Sequence, residues 1–244
     1  MNTPSESRIR KKTGPSFDPK IQPWRVSDPD FCVVPGPHLK PTFVLQVLGS
    51  SIERPLLLPD ERAFMAPVLK RPVTEAAVLV PLVMREHGLT VLLTQRTDHL
   101  YDHAGQVSFP GGRVEEDDAN PIATALRETE EETGLAAEHV DILGHLPRYF
   151  TGTGFAITPV TALVRPSFTL APDTFEVAHV FEVPLEHLTN HRNYCLHEAR
   201  LPDGQVRRYY SVAWDQFFIW GATAAMLRGM YQILAEAFSS SNRP

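Results

Sequence analysis

The side chains best suited to chemistry lie in the short acidic segment "RETEEETGL", residues 127–135. Glu128, Glu131 and Glu132 stand at positions i, i+3 and i+4, so a helix would present their carboxylates on one face. Carboxylates this close raise one another's pKa unless a cation keeps them ionised. Hard oxygen ligands suit Mg²⁺ or Mn²⁺. The spacing therefore favours a metal-binding face, and a solvated acidic face is the alternative that the helix alone leaves open.

The helix that carries these carboxylates has recognisable ends. Asn120 can cap the free amides of a first turn, and Pro121 is tolerated at the first helical position. Gly134 is a natural stop. Four residues follow the helical period and predict one buried stripe: Ile122, Ala125, Leu126 and Thr129. The carboxylates then lie at the edge of the core.

An arginine and a glycine pair flank the carboxylates. Arg127 precedes Glu130 and Glu131 by three and four residues, a spacing at which we expect ion pairs that orient a ligand carboxylate. Gly111 and Gly112, in "FPGG", have no Cβ to keep the backbone away from a ligand. A glycine loop that opens onto a carboxylate-rich helix suits a metal-bound pyrophosphate.

The segment "GRVEEDDANPIATALRETEEETGL" resembles the Nudix box, G-x(5)-E-x(7)-R-E-U-x-E-E-x-G-U, in which U is aliphatic. The matching positions are Gly112, Arg127, Glu128, Glu131, Glu132, Gly134 and Leu135. Three features differ from the pattern. Asp118 holds the first acidic position, the spacer from there to Arg127 is one residue longer than usual, and Thr129 holds an aliphatic position.

This resemblance implies a fold, a cofactor and residue roles. A Nudix protein is an α/β/α sandwich with a mixed sheet that hydrolyses a nucleoside diphosphate linked to a second group. The implied cofactor is Mg²⁺ or Mn²⁺, bound by Glu128, Glu131 and Glu132 with the carbonyl of Gly112 assisting. Glu128 and Glu131, together with Arg127, are the catalytic candidates that the box supplies.

The residues upstream of the box resemble one branch of that family, the coenzyme A (CoA) pyrophosphatases. Residues 92–112, "LLTQRTDHLYDHAGQVSFPGG", are similar to the signature LLT-x-R-[SA]-x(3)-R-x(3)-G-x(3)-FPGG. Thr97 replaces the usual Ser or Ala, and Tyr101 replaces an Arg. A lost charge-assisted bond to phosphate costs about 1.5–3 kcal/mol, although Tyr101 can still donate one hydrogen bond or stack on a base. The likeness to this branch extends over most of residues 74–235.

The remaining site candidates lie outside the box. Arg96 follows a buried strand, and we expect it to steer a phosphate, with a salt bridge to the acidic loop "EEDD" as the alternative. His103 is a second substrate-binding candidate, beside Tyr101 and the two glycines, with an ordinary hydrogen-bonded side chain as the alternative. The general base is not defined by the box. Glu176, in "DTFEVAHV", is our candidate for it, and a surface glutamate on a strand is the alternative.

These resemblances lead to a functional hypothesis with two alternatives. The hypothesis is cleavage of the pyrophosphate of CoA or acyl-CoA to 3′,5′-ADP and (acyl-)4′-phosphopantetheine. The first alternative is a Nudix hydrolase for ADP-ribose, a dinucleotide or an oxidised nucleotide. The second is a ligand-binding Nudix module without catalysis, which we favour less because all three glutamates of the box are present.

The elements that must position these residues can also be read from the sequence. "EAAVLVPLVM" (residues 75–84) is typical of a strand buried on both faces, and "LTVLLTQR" (residues 89–96) predicts its hairpin partner. "LPDGQV" predicts an Asp-Gly turn between two more strands. Residues 219–238 have helical periodicity. Strands on either side of a central helix, followed by a terminal helix, indicate an α/β domain with a mixed sheet.

Composition shifts divide the chain. Residues 1–40 are rich in proline and predict a partly disordered, extended arm. Residues 41–73 predict a short helix at positions 41–48 and a connector. The Nudix domain is expected at residues 74–238, and residues 239–244 form a tail.

Charge and composition limit the partners. The chain has 244 residues, 43% of them hydrophobic, and a net charge of −6, which argues against an extended basic surface for nucleic acid. It has no apolar run of the length that a membrane-spanning helix needs. Cys32 and Cys195 form no disulfide framework, and we expect both to be small buried hydrophobes. The expected partner is a small nucleotide substrate, CoA or a related diphosphate. The expected location is the cytoplasm. The sequence leaves open whether the protein forms a homodimer.

Overall fold

The computed structural model of the chain describes residues 17–27, 31–49, 72–100 and 103–241. These residues form strands, α-helices and short 3-10 helices. The strands are β1 (Trp24–Val26), β2 (Thr74–Arg85), β3 (Gly88–Arg96), β4 (Val107–Ser108), β5 (Gly111–Arg113), β6 (Val140–His145), β7 (Tyr149–Phe150), β8 (Phe155–Val164), β9 (Val177–Pro184), β10 (Tyr194–Arg200), β11 (Val206–Trp214) and β12 (Phe217–Trp220). The α-helices are α1 (Pro41–Leu48), α2 (Pro121–Thr133), α3 (Leu185–Leu188) and α4 (Gly221–Ser241). The 3-10 helices are Gly36–His38, Ala137–His139 and His191–Asn193.

The larger of two sheets has eight strands and is mixed. Its strand β2 runs parallel to β8, from Thr74 opposite Phe155 to Val83 opposite Val164, and antiparallel to β3 and β5. Strands β4 and β9 pair with β3, whereas β6 and β7 pair with β8, all antiparallel. The mixed sheet and the hairpin of β2 with β3, both predicted from the sequence, are confirmed.

The two faces of this sheet carry separate apolar cores because successive strand residues point to opposite sides. On one face, Leu79 of β2 belongs to a cluster with Ala125 of α2. On the other face, Leu82 belongs to a cluster with Leu48 of α1 and Leu227 of α4. Complete burial of a leucine side chain contributes about 1.5–3 kcal/mol to stability. Helices therefore cover both faces, and the predicted α/β/α sandwich is confirmed.

Four further strands form a separate antiparallel sheet in the order β1-β10-β11-β12. The predicted Asp-Gly turn joins β10 to β11, with Gly204 at φ 84°. Tyr194 and Tyr210 of this sheet are buried in the same core as Tyr231 of α4. The sequence predicted the hairpin but not its departure from the main sheet.

The described residues of the N-terminal arm lie against this second sheet. The hydroxyl of Tyr209 donates a hydrogen bond to the carbonyl of Pro19 (2.7 Å), and its ring stacks on Phe17 with centroids 5.6 Å apart. The helix predicted at positions 41–48 is present as α1. The disorder predicted for residues 1–15 and most of the connector predicted after α1 lie outside the described residues.

Three local predictions are wrong. The helix expected at residues 219–238 begins later, because Ile219 belongs to β12 and Gly221, at φ 63°, turns the chain into α4. Ile122, in the first turn of α2, is 39% exposed and does not belong to the buried stripe, whose first buried residues are Thr124 and Ala125. Cys32 is exposed and Cys195 only partly buried, so neither is a core residue.

No helix among the described residues has the length and apolar character needed to cross a bilayer.

Candidate active site

Helix α2 has the ends that the sequence predicts. The side chain of Asn120 accepts hydrogen bonds from the amides of Ile122 (2.9 Å) and Ala123 (3.0 Å). At the other end Gly134 adopts φ 73°, and its amide donates to the carbonyl of Glu130 (2.8 Å). Capping of this kind contributes about 1 kcal/mol to stability. Both caps are local, and they set which residues begin and end the helix.

The buried face of α2 includes two polar residues where a sequence pattern would predict apolar ones. Glu132 is 5% exposed although it is charged, and Thr129 is fully buried at an aliphatic position of the box. The hydroxyl of Thr129 donates to the carbonyl of Ala125 (2.6 Å). Because this bond satisfies its polar group, Thr129 can replace an aliphatic residue in the core.

The glycine pair lies in β5, opposite β2, and meets the helix there. An added Cβ on Gly112 would lie 2.3–2.5 Å from the three carboxyl atoms of Glu128. Gly111 has φ 151°, and a Cβ there would lie 2.4 Å from the carbonyl oxygen of Ala77. The absence of a Cβ is therefore what allows the Glu128 carboxylate to reach the backbone of β5.

The guanidinium of Arg127 forms ion pairs with three carboxylates. Its Nε and Nη2 donate to the two oxygens of Asp118 (3.1 and 2.9 Å), and its Nη1 donates to Glu128 (3.0 Å) and Glu131 (3.1 Å). The predicted pair with Glu131 is therefore present. In place of the predicted pair with Glu130, Arg127 pairs with Asp118 of the preceding loop and with Glu128.

Asp118 is a site residue whose role was missed. The Arg127 guanidinium, with help from the amide of Glu115 and the hydroxyl of Thr124, holds the pKa of Asp118 well below its usual range. Both of those donors lie 2.9 Å from Oδ2 of Asp118. The sequence signal was its place at the first acidic position of the box. What the pattern did not show is that Asp118 fastens the loop before α2 to Arg127.

Arg96 joins two glutamates that lie far apart in the chain. Its Nη1 donates to Glu132 (3.3 Å), 36 residues away, and its Nη2 donates to Glu176 (3.4 Å), 80 residues away. The amide of Gly111 donates to the other oxygen of Glu132 (3.3 Å). The acidic loop "EEDD" is therefore not the partner of Arg96. We call Arg96, Glu132 and Glu176 the Arg96 cluster, and Arg127, Asp118, Glu128 and Glu131 the Arg127 cluster.

An irregularity in the β3–β9 ladder directs Arg96 toward its partners. The register shifts between Gln95, opposite His179, and Arg96, opposite Val177. A bulge of this kind re-aims a side chain. The next residue, Thr97, donates from its amide to the carbonyl of Glu176 (2.9 Å), which holds this loop against the end of β3.

His103, another predicted substrate-binding residue, lies in the turn that precedes β4. Nδ1 of His103 is 2.9 Å from the side-chain oxygen of Gln106, and His103 has φ 58°. That contact is the ordinary alternative foreseen for this residue. Tyr101 lies outside the described residues.

Comparison with known proteins identifies the chain. The family model described as NUDIX domain matches residues 73–214, more than half of the sequence. The chain belongs to the Nudix hydrolase family, whose members act on pyrophosphate bonds.

Its Nudix relatives include curated proteins and solved structures. Uncharacterized Nudix hydrolase NudL of Yersinia enterocolitica is 45% identical over 64% of this chain and 80% of its own length. The Escherichia coli K12 protein of the same name is 41% identical over 63% of this chain and 79% of its own length. Solved structures similar to the chain include a MutT protein from Methanosarcina mazei (16% identity, TM-score 0.44, covering 71% of this chain and 99% of the other). Another is the NUDIX domain of Shewanella oneidensis NrtR complexed with ADP ribose (22% identity, TM-score 0.38, covering 53% of this chain and 84% of the other).

The Nudix carboxylates have the chemistry that a divalent cation requires. Burial raises the pKa of Glu132 to about 7, and burial also raises the pKa of Glu128 despite the neighbouring Arg127. Both anions are thus poorly solvated, and both are hard oxygen donors next to the backbone of Gly111 or Gly112. Among the described residues no three acidic, histidine or cysteine side chains converge on one point. Two arginines divide them instead, with Glu128 and Glu131 on Arg127 and Glu132 on Arg96.

Proposed function

We propose that the chain is a metal-dependent Nudix pyrophosphatase that cleaves CoA or acyl-CoA to 3′,5′-ADP and (acyl-)4′-phosphopantetheine. The observation that supports this most is the position of Arg96. This residue belongs to the upstream signature that resembles the CoA branch, and it contacts Glu132 of the box directly. This contact supports a site to which both the signature and the box contribute.

The rest of the signature supports the same proposal through the fold. Leu92 and Leu93 of β3 are fully buried on opposite faces of the sheet. Gln95 donates to the carbonyl of Gly105 (3.1 Å), which ties β3 to the turn before β4. Phe109 is buried and leads into the glycine pair of β5. These contacts hold Arg96 and the glycine pair near α2, which supports a pyrophosphate site between them.

Under this proposal, Glu128, Glu131 and Glu132, with the Gly112 carbonyl, hold Mg²⁺ or Mn²⁺. When bound, the cation neutralises charge on the pyrophosphate and makes a water molecule more acidic. Arg127 holds Glu128 and Glu131 in place, so its role becomes that of a positioning residue rather than a group that touches the substrate.

Glu176 remains our candidate for the general base. Its side chain is 44% exposed, so it can meet water, and Arg96 holds it on the side of the site where Glu132 lies. A base must reach the proton it removes, directly or through one water. The base would accept a proton from the attacking water, whose oxygen bonds to one phosphorus. The bond from that phosphorus to the bridging oxygen breaks, and the other phosphate leaves with the bridging oxygen.

A panel of diphosphates with product identification tests the proposal. CoA, acetyl-CoA, ADP-ribose, a dinucleotide and an oxidised nucleoside triphosphate are each incubated with Mg²⁺ or Mn²⁺, and the products are identified by mass spectrometry. We expect 3′,5′-ADP from CoA and acetyl-CoA, and no products after chelation of the metal. Faster turnover of ADP-ribose or the dinucleotide would reject the CoA assignment. Binding of CoA without products would favour the ligand-binding module.

A second candidate, a Nudix hydrolase for another nucleoside diphosphate derivative, rests on one residue. Tyr101 stands where the CoA branch has an arginine, so one charged contact to phosphate is absent. Tyr101→Arg separates the two candidates. The variant should improve kcat/KM for CoA over that for ADP-ribose if CoA is the substrate, and should leave the ratio unchanged otherwise.

A further inference from the structure

Arg96 is held less firmly than Arg127, although both guanidiniums neutralise Nudix carboxylates. Arg127 makes two bonds to Asp118, of 3.1 and 2.9 Å, in addition to its bonds to Glu128 and Glu131. Arg96 makes a single bond to each of two glutamates, at 3.3 and 3.4 Å, which is beyond the usual range for N–H···O bonds. Of the two arginines, Arg96 is therefore the one that a competing cation can displace at lower cost.

The carboxylate of Glu132 needs a positive neighbour. It is 5% exposed, and its positive surroundings are the Arg96 guanidinium and the amide of Gly111. A divalent cation placed on the same carboxylate would lie a few ångströms from the guanidinium and repel it. Glu132 can thus be neutralised fully by one of them at a time.

The backbone around Arg96 can stay in place while its side chain moves. The amide of Arg96 donates to the carbonyl of Gln106 (3.0 Å), and the amide of Thr97 donates to the backbone carbonyl of Glu176 (2.9 Å). Neither bond involves the guanidinium. The side chain is partly exposed, at 24%, so it has solvent on one side into which it can turn.

We propose that Arg96 is the resident counter-ion of the Glu132–Glu176 pair and competes with a divalent cation for Glu132. The inference rests on the metal dependence proposed above. Loading of the cation releases the guanidinium from Glu132 and leaves it available to a phosphate of the substrate. Arg96 therefore lowers the affinity of the substrate-free protein for metal.

Titration with Mn²⁺ alone, followed by the electron paramagnetic resonance of the free ion, tests this competition. The protein samples are wild type, Arg96→Gln, which removes the charge, and Arg96→Lys, which keeps it. The matched control is Arg85→Gln, which breaks the ion pair of Arg85 with Glu182 of β9, away from the box. We expect Arg96→Gln to bind Mn²⁺ at least about tenfold more tightly than wild type. Arg96→Lys should stay closer to wild type, and Arg85→Gln should equal it.

The outcomes separate the two proposals. If wild type binds no Mn²⁺, both the proposed function and the role of Arg96 fail. If wild type binds Mn²⁺ and Arg96→Gln binds it equally or more weakly, Arg96 is not a competitor, and the proposed function stands.

A second measurement on the wild-type chain keeps the test valid if Arg96→Gln does not fold. The ¹⁵N guanidinium signals of Arg96, assigned with Arg96→Lys, are followed as Mg²⁺ is added. We expect them to shift and to exchange faster with solvent as the bond to Glu132 is lost. Signals that stay unchanged at saturating Mg²⁺ would reject the proposal.

Discussion

The Arg127 cluster and the Arg96 cluster perform the same electrostatic task with different kinds of contact. The carboxylates that pair with Arg127 are at most nine positions away, on its own helix or in the loop before it. Arg96 pairs with residues 36 and 80 positions away, on two other elements. The ion pairs of the Arg127 cluster therefore depend on α2 and the loop before it. The ion pairs of the Arg96 cluster instead depend on the packing of β3, α2 and the loop before β9.

The two clusters also treat their carboxylates differently. The pKa of Asp118 is held well below its usual range by Arg127, whereas burial raises the pKa of Glu132 to about 7 in spite of Arg96. Asp118 is satisfied within the protein and serves structure. Glu132 is only partly compensated, which is typical of a group that acts in function.

The largest expected effect comes from the Arg96 cluster. Glu176→Gln keeps a hydrogen-bonding partner for Arg96 but removes the proposed base, so kcat for CoA should fall about 10²–10⁴-fold. The control is Glu182→Gln, a glutamate of β9 that pairs with Arg85, and its kcat should match wild type. A loss of less than tenfold in Glu176→Gln would remove Glu176 as the base.

A smaller effect is expected from the Arg127 cluster. Asp118→Asn removes the charge that fixes Arg127, and through Arg127 the positions of Glu128 and Glu131. Loss of such an orienting partner should weaken Mn²⁺ binding about 10–100-fold, measured with the metal alone. Asp141→Asn, which removes a surface partner of Arg165, is the control. Unchanged affinity in Asp118→Asn would show that the cluster does not position the metal ligands.

Gly112→Ala tests whether β5 belongs with the Arg127 cluster. The new Cβ would collide with the carboxylate of Glu128, which is the end of a flexible side chain and can move. We therefore expect about a tenfold loss of kcat/KM with little change in the melting temperature. Gly36→Ala is a matched control, because its Cβ would lie 2.6 Å from the carboxylate of Glu186, and its activity should be normal. Equal activities of the two variants would argue against a role for the Gly112 contact.

The smallest effect concerns the local basis of the Arg127 cluster. Asn120→Ala removes the cap that accepts bonds from two amides of α2, so the free energy of unfolding should fall by about 1 kcal/mol. Urea denaturation measures this. Asn120→Asp retains an accepting oxygen and should behave like wild type. A change below about 0.3 kcal/mol in the alanine variant would mean that packing alone defines the start of the helix.

The sequence predicted those features of the fold and site that depend on neighbours in the chain. The ends of α2, the hairpin of β2 with β3 and the pair of Arg127 with Glu131 all follow from caps, turns and helical spacing. The order of strands and helices also predicted the mixed sheet, and the resemblance to a known family added the sandwich. Features that depend on distant neighbours were missed or wrong, such as the exposure of Ile122 and the partners of Arg96.

What the sequence determined by itself is the presence of an acidic helix with defined ends and its membership of the Nudix family. Only the tertiary structure decided how its carboxylates are shared between Arg127 and Arg96. The physical reason is that the two properties depend on residues at different distances along the chain. Helical spacing decides which side chains share a face, whereas the pairing of a charged group depends on which elements pack beside that face and on how much water they exclude. For Glu132 both of those conditions are set by β3, β5 and the loop before β9.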